Sequence, residues 1–262
     1  MRISAIINQK GGVGKTTTTQ NLAYCLQKHY KKRVLVVDLD AQGNLTDSFA
    51  YPPHTLEKTV YDVLDDRIAI HEAIVSTSGP DLLPANLRLA SADLSFSNKM
   101  GRENLLKNAL ADVADDYDYV FIDCPPSLGL MTINALTAAQ GALIPVQAEY
   151  YAFAGLELVK ETIGRIKKYL NQSLAIDGIL LTLYDKRKSI ARDVERGIFE
   201  KWGELVFATR IRNNVSLSEA PSFGQSIMEY KSKSYGSEDY CALAQEFLLR
   251  FEPLSCQSGK RK

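Results

Sequence analysis

Lysine, glycine and threonine residues cluster at 10–17, directly after an apolar run at 3–8. In order, they are Lys10, Gly11, Gly12, Val13, Gly14, Lys15, Thr16 and Thr17. Glycines let backbone N–H groups curl around phosphate oxygens, a lysine reaches the outer phosphates, and a hydroxyl holds Mg²⁺. These residue types at this spacing predict a phosphate-binding loop. In this loop Lys15 would neutralise the outer phosphates, and the hydroxyl of Thr16 would bind the metal.

The loop departs from the usual pattern, G-x-x-x-x-G-K-[ST], at its first position. Gln9 stands where the first glycine belongs, and Lys10 adds a second cation beside it. Lys10 has no role within its own site as clear as that of Lys15. Two interpretations stay open: a solvent-exposed loop lysine, or a cation that reaches a phosphate in a facing subunit, as an arginine finger does in trans.

Three carboxylates follow two further apolar runs. Asp38 and Asp40 end one run, and alternation points them the same way, while Asp123 ends another. We expect Asp123 to hold Mg²⁺ with Thr16, directly or through a water, and Asp40 or Asp38 to orient an attacking water. Since no pocket for another acceptor can be identified, water is the simplest acceptor. The predicted reaction is therefore ATP hydrolysis, with ATP and Mg²⁺ as cofactors.

Short apolar runs alternate with helical patterns, which predicts an α/β fold with a mostly parallel, twisted sheet and helices on both faces. The predicted strands are 3–8, 34–38, 119–123, 142–147 and 179–182, with a short one at 81–84. The predicted helices are 16–29, 155–170, 190–202 and 238–251, and 56–65 and 86–113 also have a helical pattern. Ligands in such sheets bind at the carboxyl ends of the strands, where the loop and the acids lie.

Length and composition indicate a soluble globular protein. The chain has 262 residues, which predicts a single ATPase domain at 1–252 and a basic, disordered tail at 253–262. The 31 basic and 31 acidic residues give a formal net charge of zero, so any binding to nucleic acid must come from a local patch. No signal peptide or membrane-spanning segment is apparent, so we expect a cytoplasmic protein.

The cysteines give no sign of a disulfide or a metal site. The chain has four, Cys25, Cys124, Cys241 and Cys256, and none belongs to a C-x-x-C pair or shows metal-ligand spacing. They are interpreted as buried or incidental thiols in a reducing compartment.

Three motifs, K-G-G-V-G-K-T-T, D-L-D-A-Q-G-N and F-I-D-C-P-P-S, together resemble those of the ParA/MinD group of deviant-Walker ATPases. Two later segments, P-V-Q-A-E-Y at 145–150 and L-S-E-A-P-S at 217–222, are similar to those of the Soj-like partitioning branch. The resemblance extends from residue 2 to about residue 250, and the motifs occur in family order.

The resemblance implies an ATP-dependent homodimer that sandwiches two nucleotides, with Lys10 reaching the partner's phosphates and Asp40 positioning the water. It puts Gly11 where the dimer faces meet and, by position alone, residues Arg212 and Asn214 beside the adenine. It further implies that the ATP dimer binds double-stranded DNA without sequence preference, on the nucleoid. A ParB-like centromere-binding partner would stimulate hydrolysis and release.

The DNA surface is where the sequence departs from the family pattern. Close relatives carry an arginine just before L-S-E-A-P, and this chain has Ser216 there. The candidate DNA-binding residues are Lys186, Arg187, Lys188 and Arg210. Of these, Arg187 matches a basic position of the family. A local patch of this kind can neutralise phosphates, but acidic residues between 193 and 200 interrupt it, so a solvated helix face is the alternative.

Two other functions are compatible with such a fold. A membrane-cycling ATPase of the MinD kind needs a basic amphipathic C-terminal helix, whereas the last predicted helix has Glu238, Asp239 and Glu246 on its polar side. We therefore expect no stable membrane association. A metabolic enzyme that phosphorylates a small carboxylate, like the dethiobiotin and cobyrinate synthases, needs a substrate pocket beside the γ-phosphate, and residues 45–100 give no sign of one.

Overall fold

A seven-stranded sheet runs through the protein, whose computed structural model describes residues 1–252. The strands are β1 (Arg2–Ile6), β2 (Val34–Asp38), β3 (Asp81–Leu83), β4 (Tyr119–Asp123), β5 (Gly141–Gln147), β6 (Ala175–Tyr184) and β7 (Val206–Arg212). Their order across the sheet is β3-β2-β4-β1-β5-β6-β7, and every pair of neighbours is parallel. The predicted tail at 253–262 lies outside the described residues.

Helices connect these strands. They are α1 (Lys15–Tyr30), α2 (Asn44–Asp47), α3 (Val60–Leu64), α4 (Ile70–Ala73), α5 (Ala92–Ser95), α6 (Leu105–Ala111), α7 (Leu130–Ala138), α8 (Ala152–Tyr169), α9 (Ser189–Trp202), α10 (Val215–Glu219), α11 (Ile227–Tyr230) and α12 (Tyr235–Phe251). Within residues 1–252, none of the helices has the length and apolar character needed to cross a bilayer.

The sheet is covered on both faces, which confirms the predicted fold class. Alternate strand residues point to opposite faces, so Val36 and Phe121 belong to one apolar cluster while Leu35 and Ile122 belong to another. Helices α1 and α12 cover the first face, and α12 does so with an apolar stripe. The members of that stripe that are buried are Tyr240, Leu243, Ala244, Phe247 and Leu248. Helices α6, α7, α8 and α9 contribute buried residues to the other cluster.

The predicted elements fit best where an apolar run is continuous. The bounds of β2 and β4 agree with the prediction, and α1 and α9 differ from it by a residue at one or both ends. The predicted strand 179–182 was too short, because β6 extends to Ala175 and Tyr184. Strand β7 was missed, since Arg210 and Arg212 interrupt its apolar pattern.

The middle of the chain was predicted wrongly. Residues 86–113 form only the short helices α5 and α6, each preceded by a 3-10 turn, instead of one helical segment. Gly101 interrupts them with φ of 66°, in the left-handed region that favours glycine. Of the helical pattern at 56–65, only α3 forms.

The register of the central strands determines where the polar residues meet. β4 lies between β2 and β1, with Asp38 paired to Asp123 and Ile6 also paired to Asp123. The segment that follows Ile6 is the glycine-rich loop. The loop and both carboxylates therefore lie together at the carboxyl edge of the sheet.

Strand β5 packs closely against β6 at Gly141. A Cβ atom on Gly141 would lie 1.8 Å from Asp177 Oδ1. Asp177 is buried, accepts a hydrogen bond of 2.6 Å from Ser4 Oγ and pairs with Arg2, so it cannot move without losing these partners. We expect Gly141→Ala to lower the free energy of unfolding in urea by ~1–3 kcal/mol through overpacking.

The matched control for this prediction is Gly164→Ala. Gly164 lies inside α8, where an added Cβ would meet no atom within 4 Å. Since alanine is the better helix former, this change should be neutral or stabilising by roughly 0.5–1 kcal/mol. Equal unfolding free energies for the two variants would contradict the close packing at Gly141.

Candidate active site

The loop between β1 and α1 has a backbone that only glycine adopts readily. Gly12 and Gly14 have φ values of 72° and 85°, in the left-handed region. Gly11 and Gly12 face open space, because a Cβ on either would meet no atom within 4 Å. The free N–H groups and the dipole at the N-terminus of α1 favour an anion at this place. A phosphate group can therefore approach the loop backbone closely.

Two side chains outside the predicted set fasten the loop. Asn8 donates from Nδ2 to the carbonyl of Pro145 at 2.7 Å and accepts from the backbone N–H of Lys10 at 2.9 Å. Thr182, near the end of β6, donates from Oγ1 to the carbonyl of Val13 at 2.7 Å. The sequence offered one sign of the role of Asn8, which is an amide directly after an apolar strand. It offered no sign of the role of Thr182, since that role depends on β6 lying beside the loop.

Lys15 is a buried cation that faces carboxylates. Its Nζ donates to the carbonyl of Lys10 at 3.3 Å, and the residue is 8% exposed. Burial lowers the pKa of Lys15, while the charges of Asp123 and Asp40 act in the opposite direction. The ammonium group is thus held inside the curve of the loop, where an outer phosphate would lie.

Thr16 and Asp123, the two predicted metal residues, lie within hydrogen-bonding distance. Thr16 Oγ1 donates to Asp123 Oδ2 at 2.7 Å, and Thr19 Oγ1 donates to Asp123 Oδ1 at 3.5 Å. A hydroxyl and a carboxylate are the hard oxygen ligands that Mg²⁺ prefers. The residues present therefore fit this ion, and their role as its ligands stays a prediction. Thr17 lies in the same first turn of α1.

Asp38 and Asp40 occupy different environments although they are two residues apart. Asp38 is fully buried, and its Oδ2 accepts from the N–H and the hydroxyl of Thr46 at 2.9 and 2.7 Å. Its Oδ1 accepts from the N–H of Asp40 at 3.0 Å. Asp40 is partly exposed and accepts from the N–H of Gln42 at 3.0 Å. Of the two, only Asp40 is accessible to a water.

The two buried carboxylates repel one another. Burial and the charge of Asp38 raise the pKa of Asp123 to about 8, although the Thr16 hydroxyl and Lys15 oppose the shift. Burial raises the pKa of Asp38 to about 6 against its hydrogen bonds to Thr46. A divalent cation at Asp123 would stabilise the charged form of both groups, which agrees with the chemistry of this ligand set.

Lys10 lies at the outer edge of the site. Its Nζ donates to Glu149 Oε2 at 2.6 Å and is 3.5 Å from Gln147 Oε1. The side chains of Lys10 and Glu149 are 50% and 48% exposed. Glu149 was not among the predicted site residues, and its contact depends on β5 ending beside the loop.

The predicted basic residues collect at the ends of β6 and β7. Lys186, Arg187, Arg210 and Arg212 line one cavity of about 550 Å³, together with Tyr184, Asp185, Asn213 and Tyr235. Tyr184 follows Thr182 on the same strand, so this cavity lies on the same edge of the sheet as the loop. Lys188 does not line it and is the N-terminal cap residue of α9.

Carboxylates accompany the arginines of this cavity. Arg187 binds Asp185 with two hydrogen bonds of 2.9 and 2.8 Å but is 86% exposed, whereas Arg210 pairs with the mostly buried Glu195. Arg187 is therefore the arginine with the freest access to solvent.

The residues predicted beside the adenine are engaged with neighbouring elements. The guanidinium of Arg212 pairs with Asp239 of α12 at 2.6 Å and with Glu238 at 3.1 Å. Asn214 caps α10 by accepting from the N–H of Ser216 at 2.9 Å. Ser216 itself is buried, so it presents no side chain to a DNA backbone.

Known proteins of the ParA and Soj kind are similar to this chain over most of its length. A family model described as an AAA domain matches residues 1–176. The chain is 46% identical over 247 residues to the sporulation initiation inhibitor protein Soj of Bacillus subtilis, with 94% of this chain and 97% of that protein covered. It is 45% identical over 259 residues to the chromosome partitioning protein ParA of Myxococcus xanthus, covering 97% of this chain and 90% of that one.

A solved structure also matches over nearly its full length. It is described as the cobyrinic acid a,c-diamide synthase of Mycobacterium smegmatis with a bound ATP analogue and magnesium. The TM-score is 0.83 at 39% identity, with 94% of this chain and 93% of that chain covered. This similarity supports the binding of a nucleotide and Mg²⁺.

The raised pKa of Asp123 predicts a pH dependence of stability in EDTA without nucleotide. The folded protein retains the proton above the ordinary carboxyl pKa, so stability falls as the pH rises from about 4 to about 8. Asp123→Asn removes this titration. We expect its free energy of unfolding in urea to fall less between pH 5 and pH 8, by roughly 1 kcal/mol or more. The exposed Asp112→Asn should retain the wild-type slope, and equal slopes for all three proteins would contradict the prediction.

Proposed function

The chain belongs to the ParA/MinD group of P-loop ATPases, and we propose that it is a DNA-partitioning ATPase of the Soj kind. In this proposal it dimerises around ATP, binds double-stranded DNA without sequence preference, and is released after a ParB-like partner stimulates hydrolysis. The observation that carries the proposal is the meeting of Lys15, Thr16 and Asp123 at one loop, in a chain 46% identical to Soj across nearly its whole length.

The proposed nucleotide site uses the loop residues in distinct roles. The backbone from Gly11 to Gly14 surrounds the phosphates, and Lys15 neutralises the outer ones. Thr16 and Asp123 hold Mg²⁺, which supplies charge neutralisation for the β and γ oxygens when it is bound. The buried environment strengthens these charge interactions, because the local dielectric constant is lower than that of water.

Asp40 is the proposed residue that orients the attacking water. Both oxygens of Asp38 accept hydrogen bonds that fix the segment from Asp38 to Thr46. Asp38 is therefore the residue that holds Asp40 in position. Asp40 is near enough to Lys15 to influence its pKa, which favours a location beside the outer phosphate.

Lys10 and its surroundings favour a dimer interface. The pair that Lys10 makes with Glu149 is half-exposed, and exposed ion pairs contribute only ~0–1 kcal/mol. Such a partner is readily exchanged for the phosphates of a second copy. Tyr150 and Tyr151 follow Glu149 and are 76% and 75% exposed, and exposed aromatic residues are typical of binding surfaces.

DNA binding is assigned to the basic residues beside the 550 Å³ cavity. The formal net charge is zero, so a local surface must supply the attraction to phosphates. Arg187 is the strongest candidate by exposure, with Lys186 and Lys188 on either side of it. Arg210 contributes less in this proposal, since its side chain is only 33% exposed.

The second candidate function is that of a metabolic synthase of the same fold, because the chain is similar to the solved synthase. An enzyme of that class turns over ATP only with its small-molecule acceptor. ATP hydrolysis that DNA alone accelerates would favour partitioning over synthesis. The membrane-cycling alternative is disfavoured, because the apolar stripe of α12 is buried and its carboxylates Asp239 and Glu246 bind β7.

The first prediction from this proposal concerns Asp40. Asp40→Ala should bind ATP and Mg²⁺ normally yet lower steady-state hydrolysis by roughly 100-fold, the range expected for a group that assists an attacking water. Lys15→Ala should lose nucleotide binding, and Asp47→Ala, an exposed carboxylate on α2, should keep wild-type turnover. Unchanged hydrolysis in Asp40→Ala would refute the role of Asp40, and tight ATP binding by Lys15→Ala would refute the site.

The second prediction concerns Arg187. DNA titrations with ATP, with ADP and without nucleotide, at two salt concentrations, should give ATP-specific and salt-sensitive binding for the wild type. Arg187→Glu should weaken the ATP-state binding and reduce the slope of log K against log salt by about 1. The matched control is Arg165→Glu on α8, since Arg165 is 73% exposed and also has one carboxylate partner. Equal effects of the two reversals would move the DNA surface elsewhere.

A further inference from the structure

Two thiols and an imidazole meet where α1 crosses α12, apart from the nucleotide site. Cys25 and His29 lie four residues apart on α1 and so share one face of the helix. Cys241 faces them from α12, with its Sγ 3.4 Å from that of Cys25. The two sulfurs and a ring nitrogen of His29 all lie within 4.8 Å of one another. Sequence spacing does not reveal this cluster, because the cysteines are 216 positions apart.

The donor set and its spacing fit a thiophilic cation. Zn²⁺ binds thiolate sulfur at ~2.3 Å and imidazole nitrogen at ~2.0–2.1 Å in tetrahedral sites. Tetrahedral angles at these bond lengths separate two sulfur ligands by about 3.8 Å. The observed sulfur separation of 3.4 Å differs from this by a few tenths of an ångström. Small side-chain rotations would therefore bring all three donors onto one ion.

The burial of the three residues indicates an open coordination position. Cys25 is fully buried, Cys241 is half-buried and His29 is exposed. An ion would enter from the His29 side and keep a water as its fourth ligand. Three protein ligands with one open position is an arrangement that zinc adopts in proteins.

The cluster lies next to a contact that links α12 to the phosphate-binding helix. Tyr240, the neighbour of Cys241, bonds through Oη to Oγ1 of Thr18 at 3.2 Å. Thr18 belongs to the first turn of α1, directly after the loop residues. A metal at the cluster would fasten the same two helices about two turns further along α1.

We propose that Cys25, His29 and Cys241 form a binding site for a thiophilic divalent cation of the Zn²⁺ class, which fastens α12 to α1. Each thiol that becomes a ligand gives up its proton, so binding of one Zn²⁺ releases up to two protons. No change of oxidation state is involved. Since the ion binds the folded arrangement of two separate helices, it stabilises the folded protein as its concentration exceeds the dissociation constant.

The test is a Co²⁺ titration of the full chain, kept reduced with a phosphine and without nucleotide. The wild type should bind one equivalent and develop the sulfur-to-cobalt charge-transfer absorption in the near ultraviolet, which Zn²⁺ then abolishes by displacement. Cys25→Ser and Cys241→Ser should lose this absorption. His29→Ala should weaken Zn²⁺ binding by about 10-fold or more, since loss of even an outer partner of a ligand costs that much.

The control variants distinguish loss of a metal ligand from loss of folding, and distinguish these two thiols from the other cysteines. Cys256→Ser should bind Co²⁺ as the wild type does, so a loss there would contradict the assignment. Cys241→His keeps a ligand but removes one sulfur, and it should retain binding with about half the charge-transfer intensity. Addition of Zn²⁺ should raise the Tm of the wild type by more than that of His29→Ala, an exposed position whose change leaves the core intact.

Three outcomes would overturn the proposal. One is wild-type binding of Zn²⁺ no tighter than that of the Cys25→Ser and Cys241→Ser variants. A second is a cobalt spectrum without sulfur charge transfer, which would indicate an oxygen-ligand site such as that of Asp123. The third is a Cys25–Cys241 disulfide under mild oxidation in a protein whose reduced form has no zinc affinity, which would identify the cluster as a thiol pair only.

Discussion

The close approach of two buried carboxylates is the constraint on which the rest of the site depends. The parallel register of β2 and β4 sets Asp38 opposite Asp123, and both are buried. Burying two charged carboxylates side by side lowers the stability of the fold unless hydrogen bonds or cations compensate their charge. Thr46 compensates Asp38, while Thr16 and Lys15 compensate Asp123 only in part, since its pKa stays raised to about 8. The protein thus holds a position whose charge favours a bound divalent cation.

The loop gains its shape from residues far away in the sequence. Asn8 fastens its start to β5, and Thr182 fastens its middle to β6. Both contacts join the loop to the half of the sheet that does not carry the carboxylates. Strands β2 and β4 therefore supply the negative charge, and β5 and β6 fix the backbone that would receive the phosphates. Lys10 also contacts this second pair of strands, through Glu149 just after β5.

Helix α12 connects the remaining surfaces. Its apolar stripe packs on the sheet, Asp239 holds Arg212 beside the basic cavity, and Tyr240 contacts Thr18 beside the loop. One helix thus contacts both α1, which follows the glycine-rich loop, and the strand that ends at the proposed DNA surface. A cation at Cys25, His29 and Cys241 would strengthen the first of these connections. Helix α12 therefore supports both the proposed nucleotide site and the basic surface.

The sequence by itself determined the fold class, the strands β2 and β4, the glycine-rich loop and the acids at the ends of those strands. These features depend on short apolar runs and on local residue types, which a single sequence displays. Only the tertiary structure decided that Asp38 is enclosed while Asp40 is accessible, that Glu149 holds Lys10, and that Cys25 meets Cys241. The last two contacts join residues 139 and 216 positions apart. Such pairs follow from strand order and helix packing, and no local periodicity records them.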